Sequence, residues 1–364
     1  MKRTCPAVFL IFMFFCPISA RAMPVVINDG TTFVELVDEL EGIADLNFDE
    51  NSGAYVVPTA PQLADFRSLA DSLWVASTDT DLQNLVAPAG ALGYKAVKLI
   101  NGGTTYFGVR ESAPSRGWGS YFVRQGLRRD AMLQVPHPLF DTNTPEVAAK
   151  AFVQSQTRGF LMAGTHRSAN GLNMADPAHL VDSIFLEVHE SWNGPGGENI
   201  AWQVHAFDLD NYDDNGDAAI FPASTDAVLS NGTGDVSLEV VALDASIQAL
   251  AGGWLSHAYN TLNVNDPLNA TVNELVNGTL FSPLAGTTNK QQLHSTSVGG
   301  TFVHIELEQS FRLNGPANRQ LAADAIAGAI SQETALVPEP SSLALLILSG
   351  LGLVVPVRRL RRRR

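Results

Sequence analysis

The chain reads as an α/β protein: a three-layer α/β/α domain with a mostly parallel mixed sheet, preceded by a small β-rich extension. Two observations predict this. From Met132 onward, short apolar runs alternate with helix-patterned segments, the rhythm of strand–helix–strand units whose parallel sheet is covered on both faces. Between Tyr94 and Arg124 the apolar runs are separated by turn residues instead, which predicts an antiparallel meander.

The elements follow in order. Ala60 to Trp74 has a helical pattern and stops before Ala76-Ser77-Thr78. The runs 96–100, 105–109 and 120–123 are the meander strands, with Gly102-Gly103 and Pro114 to Gly117 as turns. Met132 to Pro136 is a buried strand. Thr144 to Gln154 is a helix with Thr144 as cap and Pro145 in the first helical position. Phe160 to Ala163 is the next strand. Val181 to Trp192 is an amphipathic helix, since Ile184, Val188 and Trp192 recur at four-residue spacing. Ile200 to Val204, Ser237 to Leu243 and Thr301 to Leu307 complete the strands. Apart from its one helix, the segment before Tyr94 is mixed and carries no functional signal.

Both ends carry addressing patterns. Lys2 and Arg3, the apolar run Ala7 to Phe15, and Ala20-Arg21-Ala22 form a secretory leader, with cleavage expected after Ala22. At the other end Val337-Pro338-Glu339-Pro340 precedes an apolar stretch, Leu343 to Val357, and then an arginine cluster up to Arg364. An apolar segment with a basic stop has the orientation that the positive-inside rule gives a membrane helix. The expected division is 1–22 leader, 23–130 extension, 131–336 main domain and 337–364 tail.

Composition narrows the function. Both cysteines, Cys5 and Cys16, lie in the leader, so the mature chain has no disulfide, no cysteine nucleophile and no thiolate metal site. Removing three basic residues of the leader, six of the tail and Glu339 leaves 14 basic against 36 acidic residues, a net charge near −22. Such a body repels nucleic acid and anionic membrane.

Function in a sheet of this kind gathers beyond the C-terminal ends of its strands. There the sequence places His137 to Thr144, then Gly164-Thr165-His166-Arg167, then His205 to Asp208. The last strand carries His304, Glu306 and Glu308 on one face, followed by Arg312. Three of only eight histidines directly follow apolar runs. Two histidines and a carboxylate with an open position make a catalytic zinc site. A nearby carboxylate then serves as base, and an arginine grips a substrate carboxylate. The plainer readings are a backbone-bonded His137, an Asp141 that caps its helix, a core His205, and a lid formed by His166 and Arg167. His179 and His189 read as structural, and Glu306 and Glu308 are equally placed as base. Ser230 lacks a nucleophile elbow. The acidic run Asn211 to Asp217 is rich in calcium-type ligands, but Pro222 stands where an EF-hand loop needs a bidentate glutamate.

Two resemblances add to this. The tail resembles the PEP-CTERM sorting signal of Gram-negative bacteria that make extracellular polysaccharide, which implies processing by signal peptidase and then exosortase, with release to the surface or extracellular matrix. The run His137 to Ala149, with Thr144-Pro145-Glu146 opening its helix, is similar to the first zinc motif of the poly-gamma-glutamate hydrolase, N-formylglutamate amidohydrolase and carboxypeptidase group. His205 after Trp202-Gln203-Val204 resembles the third-ligand position, and Ile305-Glu306-Leu307 with Arg312 resembles the strand bearing the catalytic glutamate. The likeness implies zinc on His137, Asp141 and His205, Glu306 as base, and substrate held by Arg167 and Arg312, with His166 beside them. This chain has Asp141 where that group has glutamate. The rival expectation is a surface or matrix protein that keeps the fold for binding alone.

Overall fold

A computed structural model of the protein describes residues 26–28, 32–41, 48–113, 115–194, 199–209, 225–234, 236–250, 253–258, 284–334 and 336–337. The leader, the Pro338–Pro340 motif with the rest of the tail, and the acidic run 211–217 lie outside the described residues. Strands are β1 (Val26–Asn28), β2 (Tyr94–Asn101), β3 (Thr104–Glu111), β4 (Ser120–Arg124), β5 (Arg128–Val135), β6 (Thr157–Met162), β7 (Ile200–Phe207), β8 (Ala227–Ser230), β9 (Ser256–Ala258), β10 (Phe302–Glu308) and β11 (Leu336–Val337). Helices are α1 (Phe33–Glu41), α2 (Ala60–Val75), α3 (Asp79–Ala91), α4 (Thr144–Ser155), α5 (Ile184–Trp192), α6 (Leu238–Gln248), α7 (Lys290–Ser297), α8 (Gln309–Leu313) and α9 (Pro316–Glu333).

All described strands join one mixed sheet in the order β1-β2-β3-β4-β6-β5-β7-β10-β8-β9, with β11 beside β5. The centre, β6-β5-β7-β10, is parallel throughout. The meander β2-β3-β4 joins it through the antiparallel pair β4–β6. The boundary expected between residues 130 and 131 therefore runs through β5, and the β-rich extension continues the main sheet.

Strand alternation sorts side chains to two faces. Leu133, Val135, Trp202, Val204, Val303, Ile305 and Leu307 face one core, shared with α1, α4, α6 and α9. Met132, Ala201 and Phe302 face a second core, shared with α2, α3 and α5. The arrangement is a three-layer α/β/α fold. Each fully buried aliphatic or aromatic side chain contributes about 1.5–3 kcal/mol, and with no cysteine beyond Cys16 these two cores carry the stability of the described residues. Of the segment before Tyr94, α1 packs on the first core, whereas α2 and α3 build the cover of the second. There Trp74 stacks on Trp192 at 4.9 Å between ring centroids, and the Trp192 indole N–H donates to the Ala70 carbonyl at 3.0 Å.

Two local expectations are corrected. Residues 237–243 begin a helix, α6, not a strand: Ser237 takes the N-cap position and its side chain accepts from the Val240 N–H. An apolar run of that length fits a buried helix as well as a strand, and the cap decides. At α4 the cap position is Asn143, in the left-handed region at φ 67°, and Thr144 is the first helical residue. The Thr144 hydroxyl instead donates to the Asp141 carbonyl at 2.7 Å, which braces the loop behind His137. No helix among the described residues is long and apolar enough to cross a membrane.

Candidate metal centre

The second face of the sheet changes character toward the C-terminal ends of its central strands. After Met132, Ala201 and Phe302, the same alternation places Gln134 on β5, Gln203 and His205 on β7, and His304 and Glu306 on β10. Register aligns them laterally, with Glu306 beside His205, His304 beside Gln203, and Gln203 beside Gln134. All five are buried. His137 follows β5 directly, and Asp141 is brought back to it by a turn in which the Asp141 N–H donates to the His137 carbonyl at 2.8 Å.

These residues converge. Asp141 Oδ2 lies 3.1 Å from His137 Nδ1 and 3.3 Å from His205 Nδ1, and the two Nδ1 atoms are 3.1 Å apart. The other ring nitrogens point away: His137 Nε2 donates to Asp176 Oδ1 at 2.9 Å, and His205 Nε2 donates to Gln203 Oε1 at 2.8 Å. Three ligand-type atoms thus face one point while the outer nitrogens are fixed by acceptors, the pattern that orients metal-bound imidazoles. His137, Asp141 and His205 form one buried group that could hold a metal ion, and His205, His304 and Glu306 form a second that overlaps it.

The two aspartates favour positive charge at this point. Burial opposes charge on His137, yet Asp176 and Asp141 outweigh it and push its pKa up to about 9. Burial would raise both aspartates, but His137 holds them well below the usual carboxylate range. Burial pushes His205 down to about 4 against the pull of Asp141. Burial, reinforced by the charge of Asp141, pushes Glu306 well above the usual range. Glu306 Oε2 is buried and has no hydrogen-bond partner among the described residues.

A cavity of about 580 Å³ opens over the group, and His137, Asp141, His205, Glu306, Arg167 and Arg312 are among its lining residues. The ambiguity between the two strand glutamates is resolved by a neighbour: Glu308 caps α8 by accepting from the Ser310 N–H, whereas Glu306 lines the cavity. Arg312 donates through Nη1 to the Thr142 carbonyl at 2.8 Å, and its Nε has no partner among the described residues. Arg167 is more committed, with Nη2 on Asp176 at 2.8 Å, Nε on Asn173 Oδ1 at 3.0 Å and its guanidinium 5.2 Å from the Phe140 ring centroid. His166 accepts through Nδ1 from the Ser168 N–H at 3.1 Å and meets Phe140 edge-on, so it backs Phe140 and is not among the residues lining the cavity.

Sequence reasoning missed Asp176, which is fully buried and ties His137, Arg167 and His179 together. It lies in a loop without periodic pattern, so only the tertiary fold reveals it. His304 was visible on the Glu306 face without an assigned role. Its ring lies 4.5 Å from that of His205, and Gly286, at φ +66°, comes so close that a Cβ there would stand 2.9 Å from the imidazole. His179 also lines the cavity, with Nε2 on Thr288 Oγ1 at 3.2 Å.

Behind the site lies His189 on α5, fully buried, with Nδ1 accepting from Gln134 Nε2 at 2.7 Å. Burial pushes its pKa down to about 3. Below its ordinary pKa of about 6.5 the unfolded chain binds a proton here that the folded chain refuses. Stability from this group is full above that pH and falls, at up to about 1.4 kcal/mol per pH unit, toward pH 3. Urea unfolding at stepped pH checks this: His189→Gln should show an acid slope shallower by one proton, and an unchanged slope would contradict it.

No family model matches the chain, and no curated protein matches its sequence.

Proposed function

We propose that the protein is an exported zinc-dependent hydrolase of amide or peptide bonds, acting on an extracellular amino-acid-containing substrate. The observation that carries this reading is the buried triangle of His137 Nδ1, Asp141 Oδ2 and His205 Nδ1, with sides of 3.1–3.3 Å. Tetrahedral bonds of 2.0–2.1 Å hold neighbouring ligand atoms roughly 3.3–3.4 Å apart, so the donor set and spacing fit zinc with one position left open. The shorter aspartate reaches the same point as the two imidazoles, which supports its place in the set.

A zinc ion held there supplies Lewis acidity, polarising a scissile carbonyl and acidifying a water molecule. The chain does the rest. Glu306 Oε2, unpartnered and beside His205 in register, takes a proton from the attacking water and returns it to the departing nitrogen. Burial raises its proton affinity, which suits the acid step, and a cation held by the neighbouring triangle would favour the ionised form that the base step needs. Arg312, whose Nε–H has no partner among the described residues, and Arg167 both line the cavity and give an acidic protein local cationic groups for a substrate carboxylate.

The leader and the Pro338-Glu339-Pro340 tail support secretion followed by exosortase processing. One experiment addresses both halves. Protein recovered from the medium of a producing culture should have an intact mass lacking residues 1–22 and the arginine-rich tail. It should also hydrolyse members of a panel of glutamyl amides and N-acyl amino acids, lose that activity to a chelator and regain it with zinc. A zinc-loaded, correctly processed protein inert on the whole panel would favour the binding alternative.

A further inference from the structure

Next to His205, between the site and the apolar core of the second face, lies an enclosed layer of amides. Gln134, Gln203 and Gln291 are each fully buried, and Asn289 is nearly so. Buried amides are costly unless every donor and acceptor is matched, so their orientations are set by what surrounds them. Here the surroundings include two groups with no freedom.

The first is the carbonyl of Pro177, which can only accept. Gln291 Nε2 donates to it at 2.9 Å, so Gln291 must present Oε1 on its other side. That oxygen lies 3.2 Å from Gln203 Nε2. The second is the first turn of α7, where the backbone N–H groups of Gln291 and Gln292 can only donate. They bind Asn289 Oδ1 at 2.9 and 3.2 Å, so Asn289 turns its Nδ2 toward Gln203 Oε1. Both anchors force one orientation on the Gln203 amide. A third contact agrees, because Gln203 Nε2 also donates to Gln134 Oε1 at 3.0 Å, and Gln134 is held by His189.

With Oε1 facing His205 at 2.8 Å, Gln203 accepts only a hydrogen from Nε2. The imidazole is thereby fixed as the tautomer whose Nδ1 carries a lone pair, and Nδ1 is the atom that meets His137 and Asp141. A reversed amide would place its NH₂ against Nε2 and move the proton to Nδ1, which blocks coordination. We propose that Gln203, oriented by Asn289 and Gln291 at the start of α7, is a positioning residue that selects the metal-binding tautomer of His205. The proposal rests on the metal reading above, and it ties formation of the centre to docking of α7.

The test uses the mature protein with histidine labelled by ¹⁵N, in its metal-free form near neutral pH, together with zinc affinity from chelator competition. In the wild type the ring shifts of His205 should show Nε2 protonated and Nδ1 bare. Gln203→Leu should populate the other tautomer and weaken zinc about 10–100-fold, the range for loss of a group that orients a ligand. Gln203→Glu, which keeps an acceptor against Nε2, should stay within about threefold of wild type. If Gln203→Leu does not fold, Asn289→Asp carries the same test, since aspartate caps a helix as well as asparagine but offers Gln203 Oε1 no donor. His205 keeping Nε2 protonated in Gln203→Leu or Asn289→Asp, or equal loss of zinc affinity in Gln203→Leu and Gln203→Glu, would overturn the proposal. A wild type that takes no zinc would defeat the metal reading instead, while the tautomer measurement still decides the role of Gln203.

Discussion

Glu306→Gln is expected to bind zinc like the wild type and to lose hydrolysis by about 10²–10⁴-fold, the usual contribution of a positioned acid–base group. The substitution keeps size and hydrogen-bonding capacity, and Glu306 is not part of the His137–Asp141–His205 triangle, so the centre should survive. Replacing a buried carboxyl, whose charged form burial penalises, by a neutral amide should also leave stability unchanged or improved. Chelator competition, turnover and thermal melting on one preparation separate the three effects. Equal loss of metal and activity would make Glu306 a ligand, as the overlapping group with His205 and His304 allows, and would remove it as the base.

Arg312→Met should reduce kcat/KM on carboxylate-bearing substrates by roughly 100-fold, the value of two charge-assisted hydrogen bonds of about 1.5 kcal/mol each. The same change should matter little for substrates whose carboxylate is amidated. Arg167→Met should behave differently. Its guanidinium already holds Asp176 and Asn173, so its loss disturbs the support of His137 and should lower zinc affinity as well as activity. If Arg312→Met is indifferent to the substrate carboxylate, the proposed docking is wrong, whatever becomes of the metal.

The parts legible in sequence were those written in short-range patterns. His137 and His205 announce themselves because each follows an apolar run, and strands buried on both faces deliver their next residues to the sheet's functional edge. Alternation along β10 placed His304, Glu306 and Glu308 together but could not rank them. The ranking came from Ser310, whose N–H and hydroxyl engage Glu308 as a helix cap. Period and propensity misled where an apolar run suits two structures, as at 237–243, where a strand was expected and a helix stands, and they were silent where a residue acts only across the fold. Asp176, Gln203 and Asn289 are of that second kind, 39, 2 and 84 positions from the histidines they serve. The meander was visible, but its union with the main sheet depends on β4 pairing with β6, and no local signal encodes that.

The central claim is that His137, Asp141 and His205 hold one catalytic ion. Elemental mass spectrometry of the mature body, produced alongside its His205→Ala variant and dialysed against the same buffer, tests it most directly. One zinc per wild-type chain and none in the variant is the expected result. A wild type without metal after exposure to micromolar zinc would contradict the account and leave the binding reading in its place.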